Sequence, residues 1–241
     1  MGVVGMSASQ GYGQFCPVAM TSQILTARWT PLILRELLCG STRFSDLRKG
    51  LPRLSQSLLT KRLEELYDSN IISKKALPSG GYEYKLTKSG EKLRPIIEMM
   101  GIWGSENLMH KLTKDERDPD LLFWDIRRTV DSSVLENKTR FVAQFDVSGL
   151  SRTKRFRWLV SKNGETDLCY RDPGYDINLT INASLKSLVD VWVGEQSLPR
   201  ALSKKDICLE GSGKDKALFK KWFILSPFAN KQTQGRLSVN Q

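Results

Sequence analysis

Two hydrophobic periodicities divide this chain of 241 residues. Up to about residue 110, apolar side chains recur every three or four positions, a spacing that predicts amphipathic helices. Beyond about residue 140, apolar and polar residues alternate in short stretches, which predicts strands. We therefore predict an α+β protein of two folded parts, residues 15–112 and 121–230, with a linker at 113–120 and flexible tails at 1–14 and 231–241.

Three helices are predicted at the start of the first part. The first covers residues 17–27. The second starts after Thr30, a favourable N-cap, and ends before Gly40. The third covers residues 44–50, with Ser45 as its cap.

The fourth helix has the clearest boundaries. It is predicted from Ser55, another favourable N-cap, to Asp68, and Asn70 is expected to end it in a left-handed conformation. Its leucines share one side of the helix and its polar residues share the other. The leucines are Leu59, Leu63 and Leu66, and the polar residues are Gln56, Ser57, Thr60, Lys61 and Glu64.

A basic hairpin follows this helix. Residues 71–77 and 82–86 have strand composition, and Ser79-Gly80-Gly81 supplies the turn between them. A helix followed at once by a basic hairpin is the arrangement of a winged helix-turn-helix. Such a helix fits the major groove of DNA, where residues near its N-terminus reach the base edges.

Positive charge is concentrated on the same stretch. The whole chain has a formal net charge of +11, and residues 41–95 contain twelve Lys or Arg against six Asp or Glu. This balance favours a polyanion such as double-stranded DNA, although a solvated face is the alternative for any single Lys or Arg. The predicted DNA contacts are Arg43, Arg53, Ser55, Gln56, Ser57, Thr60, Lys61, Lys74, Lys75, Tyr82 and Lys85.

A long helix is predicted after the hairpin. Its apolar stripe, which is large for a helix attached to a small domain, contains Leu93, Ile96, Ile97, Met100, Trp103 and Leu108. Part of this stripe is expected to pair with a second subunit. The predicted dimer contacts are Ile96, Ile97, Met100 and Trp103, and an intramolecular core is the alternative interpretation.

Several motifs between residues 15 and 110 follow one another in a set order. They are FCPVA at 15–19, RWTPLILREL at 28–37, RFSDLR at 43–48, LTKRLEEL at 59–66 and YEYKLT at 82–87. Together they resemble the HxlR-type winged helix-turn-helix regulators, a branch of the MarR-like group. The resemblance implies a cytoplasmic, homodimeric transcriptional regulator, here expected to be a repressor. It also implies a redox-sensing role for Cys16, for which a packed cysteine at the dimer contact is the alternative.

Strands precede helices in the second part. Alternation at 140–147, 155–160, 166–171 and 176–182 predicts consecutive antiparallel strands, and helices are expected after Ser184 and Ser197. Short motifs here, including Trp158-Leu159-Val160 and Asp172-Pro173-Gly174, are similar to sterol-carrier-protein-like domains.

That similarity implies an antiparallel sheet covered by helices around an apolar pocket, which could hold a lipid-like effector. The predicted lining is Phe141, Phe145, Phe156, Trp158, Leu188, Trp192, Trp222 and Phe223. For each of these residues a place in a solid core is the alternative.

The sequence lacks the patterns typical of enzymes. Its four cysteines match no metal or redox spacing, the single histidine, His110, has no metal-ligand pattern, and residues 211–214 lack P-loop spacing. We therefore expect no catalytic activity, cofactor or metal. No apolar run reaches the roughly 18 residues of a membrane span, so no membrane partner is expected. The alternative function is a sterol- or acyl-carrier protein whose winged helix mediates protein interaction.

Overall fold

The structure, a computed structural model, describes residues 11–135 and 138–229. The chain forms two compact units, one ending at Met100 and the other beginning at Gly101. The predicted tails lie outside the described residues, except for residues 11–14, which form neither helix nor strand.

The N-terminal unit is built from short elements around a leucine-rich core. In α2 and α4 the leucines recur every three or four positions, so these two helices present one apolar side to that core. Leu59, Leu63 and Leu66 lie there in one cluster with Ile33 and Leu34. The elements are α1 (Pro17–Leu25), α2 (Thr30–Leu38), α3 (Phe44–Gly50), α4 (Gln56–Asp68), β1 (Ile72–Ala76), β2 (Tyr82–Leu86), α5 (Lys88–Glu91) and α6 (Arg94–Asn107), which continues past Met100.

Two predicted N-caps are wrong. The N-cap of α2 is Trp29, in a left-handed conformation with φ of 81°, and Thr30 is already helical and buried. The N-cap of α3 is Arg43 instead of Ser45. Arg43 is extended because it forms a β-bridge with Glu83, and α3 starts as soon as that pairing ends. The left-handed backbone at Trp29 is unusual for an N-cap, whereas the extended backbone at Arg43 is ordinary and only the residue type is unexpected.

The predicted linker at 113–120 contains ordered turns. Residues Lys114–Glu116 form a 3-10 turn closed by a capping box, in which the Thr113 amide donates to the Glu116 carboxylate at 2.8 Å. Asp118 then caps α7 (Pro119–Thr129) by accepting from the amide of Asp120 at 2.9 Å.

The C-terminal unit contains a sheet with the strand order β5-β4-β3-β6-β7. In that sheet β3 and β6 run parallel, with Ala143 opposite Leu179, whereas the other neighbouring pairs are antiparallel. The prediction of a purely antiparallel sheet is therefore wrong at its centre. The elements after α7 are β3 (Phe141–Ser148), α8 (Arg152–Arg155), β4 (Phe156–Lys162), β5 (Glu165–Cys169), β6 (Leu179–Ser184), α9 (Leu185–Trp192), α10 (Leu198–Ser203), β7 (Ile207–Gly211) and α11 (Gly213–Trp222).

The two faces of this sheet belong to different apolar clusters. Because side chains alternate along a strand, β3 directs Phe141 and Phe145 to one face and Val142 to the other. The first face packs with helical residues such as Phe123 and Trp222 in the main core. The second face holds a smaller cluster of Val142, Trp158 and Val160, with Phe156 and Cys169 packed against it.

Candidate nucleic-acid interface

Helix α4 presents a polar, solvent-exposed side. As predicted, Ser55 is its N-cap, with the hydroxyl oxygen accepting from the Leu58 amide at 3.3 Å. Asn70 follows the helix with φ of 54°, also as predicted. The buried leucines fix the rotation of the helix, so the residues between them face solvent. The exposed predicted contacts on and beside the helix start are Ser55, Gln56, Ser57, Thr60 and Lys61.

The wing, which we define as β1, β2 and the turn at residues 77–81, packs beside α4. Its strands are antiparallel, with Lys74 opposite Tyr84. The turn depends on two consecutive glycines with positive φ, 87° at Gly80 and 77° at Gly81. The Tyr84 amide donates to the carbonyl of Thr42 at 2.8 Å, and Arg43 forms an isolated antiparallel bridge with Glu83, so the segment before α3 pairs with the edge of the wing. That pairing places the exposed Arg43 beside the wing.

The three wing lysines have different surroundings. Lys75 is exposed, and Lys85 pairs with Glu83 at 2.9 Å between Nζ and Oε2. The hydrogen bond from Lys85 lowers the pKa of the Glu83 carboxyl. Lys74 instead turns towards α4, where its Nζ lies 2.7 Å and 3.0 Å from the two carboxylate oxygens of Glu64. This hydrogen bond raises the pKa of Lys74.

The inward position of Lys74 could have been inferred from the sequence. In β1, Lys74 is two residues from the buried Ile72, so the two side chains share the inner face of the hairpin. The prediction treated the three wing lysines as equivalent phosphate contacts and did not take this alternation of side chains along the strand into account. The remaining predicted contacts, Arg53 and Tyr82, are exposed.

The predicted dimer residues fall into two groups. Ile96, Met100 and Trp103 are exposed, with Trp103 at 57%. Ile97 is only 6% exposed and belongs to the core of its own unit, so its predicted availability for a dimer contact is wrong. The helix also exposes Met99, which was not predicted to be a contact.

Helix α1 also leaves apolar surface exposed, although Ile24 and Leu25 at its end pack against the leucine core. It has no buried residue, and Phe15, just before it, is 99% exposed. Cys16 is the N-cap of α1 and is half-buried, with no side-chain capping bond. Within residues 11–135 and 138–229, no disulfide involves Cys16, Cys39, Cys169 or Cys208.

The eight predicted pocket residues do not surround one space. The core beside the helices contains Phe141, Phe145, Leu188, Trp222 and Phe223, with Trp192 packed against it. Phe156 and Trp158 lie on the opposite face of the sheet, with ring centroids 6.1 Å apart. The prediction that all eight line one pocket is therefore wrong, because adjacent strand positions face opposite ways.

A cleft of about 560 Å³ does open on the C-terminal unit, but its lining is mostly polar. Asp146 and Arg155 form a bidentate ion pair there, at 2.6 Å and 2.8 Å. Ser184, Asn182 and Lys205 also contribute to its walls. The chemistry of this cleft differs from that expected for a lipid tunnel.

Two further properties concern metals and membranes. Among residues 11–135 and 138–229, no cluster of three or more His, Cys, Asp or Glu side chains could hold a metal ion. Within the same ranges, no helix is both long and apolar enough to cross a bilayer.

Comparisons with known proteins match the N-terminal part of the chain. The HxlR-like helix-turn-helix family model matches residues 24–112. The HTH-type transcriptional regulator YvaP of Bacillus subtilis is 36% identical over 96 residues, which are 39% of this chain and 89% of that protein. An HTH-type transcriptional regulator of Methanothermobacter thermautotrophicus is 30% identical over 106 residues, 43% of this chain and 81% of that protein.

A solved structure, the reduced form of the transcriptional regulator YodB from B. subtilis, is 29% identical, with a TM-score of 0.35. The match covers 40% of this chain and 98% of that one. The family model ends at residue 112, so the sterol-carrier-like character of the C-terminal unit stays a prediction. By its family match and its identity with these regulators, the chain belongs to the HxlR-like helix-turn-helix family.

Proposed function

We propose that this protein is a sequence-specific DNA-binding transcriptional repressor. The observation that carries the proposal is the exposed polar side of α4 next to a basic wing. The relatives named above are HTH-type transcriptional regulators, which supports DNA as the partner. Repression requires only that the protein occupy promoter DNA and exclude the polymerase, so no further binding surface has to be invoked.

In the proposed complex, α4 lies in the major groove. Gln56 forms paired hydrogen bonds with adenine, and Lys61 donates to guanine. Ser55, Ser57 and Thr60 bind bases or nearby phosphates. Phosphate contacts come from the exposed side chains around the helix, namely Arg43, Arg53, Lys75, Tyr82 and Lys85.

A homodimer is the second part of the proposal. The stripe of Ile96, Met99, Met100 and Trp103 follows helical spacing on α6 and is exposed throughout. Contiguous exposed apolar surface of this kind typically marks an interface. A two-fold dimer would bind two half-sites about one helical turn apart, which predicts a palindromic operator.

The decisive experiment is a fluorescence-anisotropy titration with fragments of the DNA upstream of the protein's own gene. We expect one fragment to bind far more tightly than random DNA of equal length, with affinity that falls steeply as KCl rises. Equal affinity for all fragments at each KCl concentration would show that the protein is not a sequence-specific regulator.

Two matched variants separate base reading from phosphate binding. Gln56→Ala should relax the preference at one base pair, with a loss of about 1–3 kcal/mol on the preferred sequence only. Lys75→Ala should weaken binding to all sequences alike, because a phosphate contact carries no sequence information. If the two variants lose the same affinity on every sequence, the assignment of the reading side to α4 is wrong.

Control of binding through Cys16 belongs to the proposal as well. Cys16 is the N-cap residue of α1 and is only half-buried, which leaves part of it accessible to small reagents. An oxidant or an electrophile such as a quinone would modify it and release the DNA. Wild type should therefore leave its operator after peroxide or quinone treatment, whereas Cys16→Ser should stay bound; equal release of both would exclude this cysteine as the sensor.

The proposal also includes an apolar effector bound by the C-terminal unit, and one observation supports it. The indole N–H groups of Trp192 and Trp222 are buried and have no acceptor among the described residues. A lipid-like ligand with a polar group could use these donors on the helix-covered face of the sheet. Native mass spectrometry after incubation with a fatty acid should detect a one-to-one complex if such a site exists, and no mass shift would exclude a site for that ligand class.

A further inference from the structure

The ammonium group of Lys74 interacts with groups from both the wing and α4. Its Nζ binds both carboxylate oxygens of Glu64 and lies 4.5 Å from the ring centroid of Tyr67, and both of these residues belong to α4. Tyr82 of β2 contributes a second ring, 5.6 Å away. The Lys74 cage, which we define as Glu64, Tyr67 and Tyr82, thus includes one carboxylate and two aromatic faces, each of which attracts a cation.

The helical and the strand spacing of side chains together bring the residues of the cage close to Lys74. On α4, Glu64 and Tyr67 are three residues apart and therefore neighbours on one side of the helix. On the hairpin, strand alternation directs Lys74 inward and leaves Lys75 on the outer face. The Lys74 side chain is 23% exposed, whereas Glu64 is 47% exposed and both tyrosines lie at the surface, so the cage stays open to solvent.

We propose that Lys74 is a positioning residue that locks the wing to α4, and that it does not bind DNA phosphate. This inference rests on the DNA-binding function proposed above. The wing and α4 then bind DNA as a rigid unit. The phosphate contacts made by the wing therefore determine the depth and angle of α4 in the major groove. Specificity therefore depends on a residue that touches neither base nor phosphate.

The chemistry of the pair favours this role over a phosphate contact. Glu64 already neutralises the charge of Lys74, and the raised pKa of Lys74 is consistent with a bound ammonium. To reach a phosphate, Lys74 would have to leave a charge-assisted hydrogen bond and two aromatic contacts. Lys75 has neither restraint on the outer face, which makes it the matched control.

The first test compares Lys74→Met with Lys75→Met in anisotropy titrations over a KCl series on the preferred fragment. Each lost phosphate contact should lower the slope of log affinity against log salt by about 0.9. We expect Lys75→Met to show that change. Lys74→Met should lose about tenfold in affinity with its slope unchanged, and a slope lowered by about 0.9 in Lys74→Met would overturn the proposal.

The second test uses Glu64, for which the two roles predict opposite signs. If Lys74 were a phosphate contact, Glu64→Gln would release it and remove a negative charge near DNA, so binding would tighten. A lock predicts weaker binding, and the charge-swapped pair Glu64→Lys with Lys74→Glu should recover most of the loss. Tightening by Glu64→Gln, or no recovery in the swapped pair, would contradict the lock.

Hydrogen–deuterium exchange of the wing amides tests the lock without DNA. Exchange across residues 72–86 should rise in Lys74→Met and Glu64→Gln, return towards wild type in the swapped pair, and stay unchanged in Lys75→Met. Unchanged exchange in Lys74→Met would refute the lock. Because this readout needs no operator, it stays decisive even if the wild-type protein binds no DNA specifically, a result that would overturn only the proposed function.

Discussion

Helices α1 and α6 leave most of their apolar side chains exposed, whereas the helices on the C-terminal sheet bury theirs. No residue of α1 is buried, and Ile97 is the buried residue of α6. By contrast, α7 buries Phe123 and α11 buries Phe219 and Trp222. The sequence patterns of these helices are alike, since each has an apolar stripe at helical spacing.

This difference teaches that an apolar stripe predicts a buried surface but does not identify what covers it. The stripes of α7 and α11 are covered by the sheet of their own chain. Part of the α1 stripe and most of the α6 stripe are exposed in the single chain, and contiguous exposed apolar surface is unfavourable in water. We therefore expect a second copy of the chain to cover them.

The largest expected effect tests whether the C-terminal core is self-sufficient. Phe145→Ala should lower the free energy of unfolding of that unit by about 3–5 kcal/mol, because it removes a fully buried ring that meets Phe123 edge to face. Urea unfolding followed by tryptophan fluorescence measures the loss. Phe156→Ala, on the opposite face and only half-buried, is the control and should lose roughly half as much. Equal losses would contradict the division between the two faces.

The next effect tests whether α6 needs a partner. Trp103→Asp places a charge within the exposed stripe and should convert the dimer to a monomer, as measured by sedimentation velocity. Operator affinity should fall by roughly 100-fold, because a monomer holds only one half-site. Ile177→Asp is the control, since Ile177 is also an exposed apolar residue, at 43%, but lies outside α6. If the wild type is a monomer, the conclusion that a second copy covers the exposed stripe of α6 is wrong.

The smallest effect concerns the ion pair between Lys138 and Asp215 in the C-terminal unit. Asp215, near the start of α11, is almost buried and accepts from Lys138 at 2.7 Å. Burial raises the pKa of Asp215, but the hydrogen bonds from Lys138 and Ser212 outweigh burial, so the net pKa lies below its ordinary value. The pair therefore stabilises the fold above the unfolded pKa, and that stability is lost as pH falls through the lower folded pKa.

Asp215→Asn should lower the free energy of unfolding by about 1–2 kcal/mol at pH 7 and flatten the dependence of Tm on pH below about 4. Calorimetry between pH 2.5 and 7 measures both changes. The exposed Asp167→Asn should alter neither. An unchanged pH profile for Asp215→Asn would show that the Lys138 pair contributes nothing to stability.

Local features of this fold could be predicted from the sequence. The start of α4 follows from Ser55, because a capping hydroxyl acts on the next three residues alone. Its end follows from Asn70, which tolerates a left-handed conformation. Within the candidate site, the exposed side of α4 was also predictable from local sequence. The spacing of its leucines determines which residues face the core and which face solvent.

Features that depend on distant residues were not predictable from local patterns. The left-handed cap at Trp29 runs against the usual preference of a bulky residue. The start of α3 at Phe44 depends on the pairing of Arg43 with Glu83, forty residues away in the chain. Ile97 is buried next to exposed neighbours because it lies on the side of α6 that faces the leucine core. The sequence does not show which side that is, since the neighbouring residues of α6 are apolar as well.

The parallel pairing of β3 with β6 also determines the order in which the chain can fold. The wing closes across a turn of five residues, so its contacts are local and form quickly. Ala143 meets Leu179 only after β4, β5 and the following loop have been synthesised, and such distant contacts form more slowly. Because domains fold as units from the N-terminus during synthesis, we expect the N-terminal unit to be folded on the ribosome while the sheet is still incomplete.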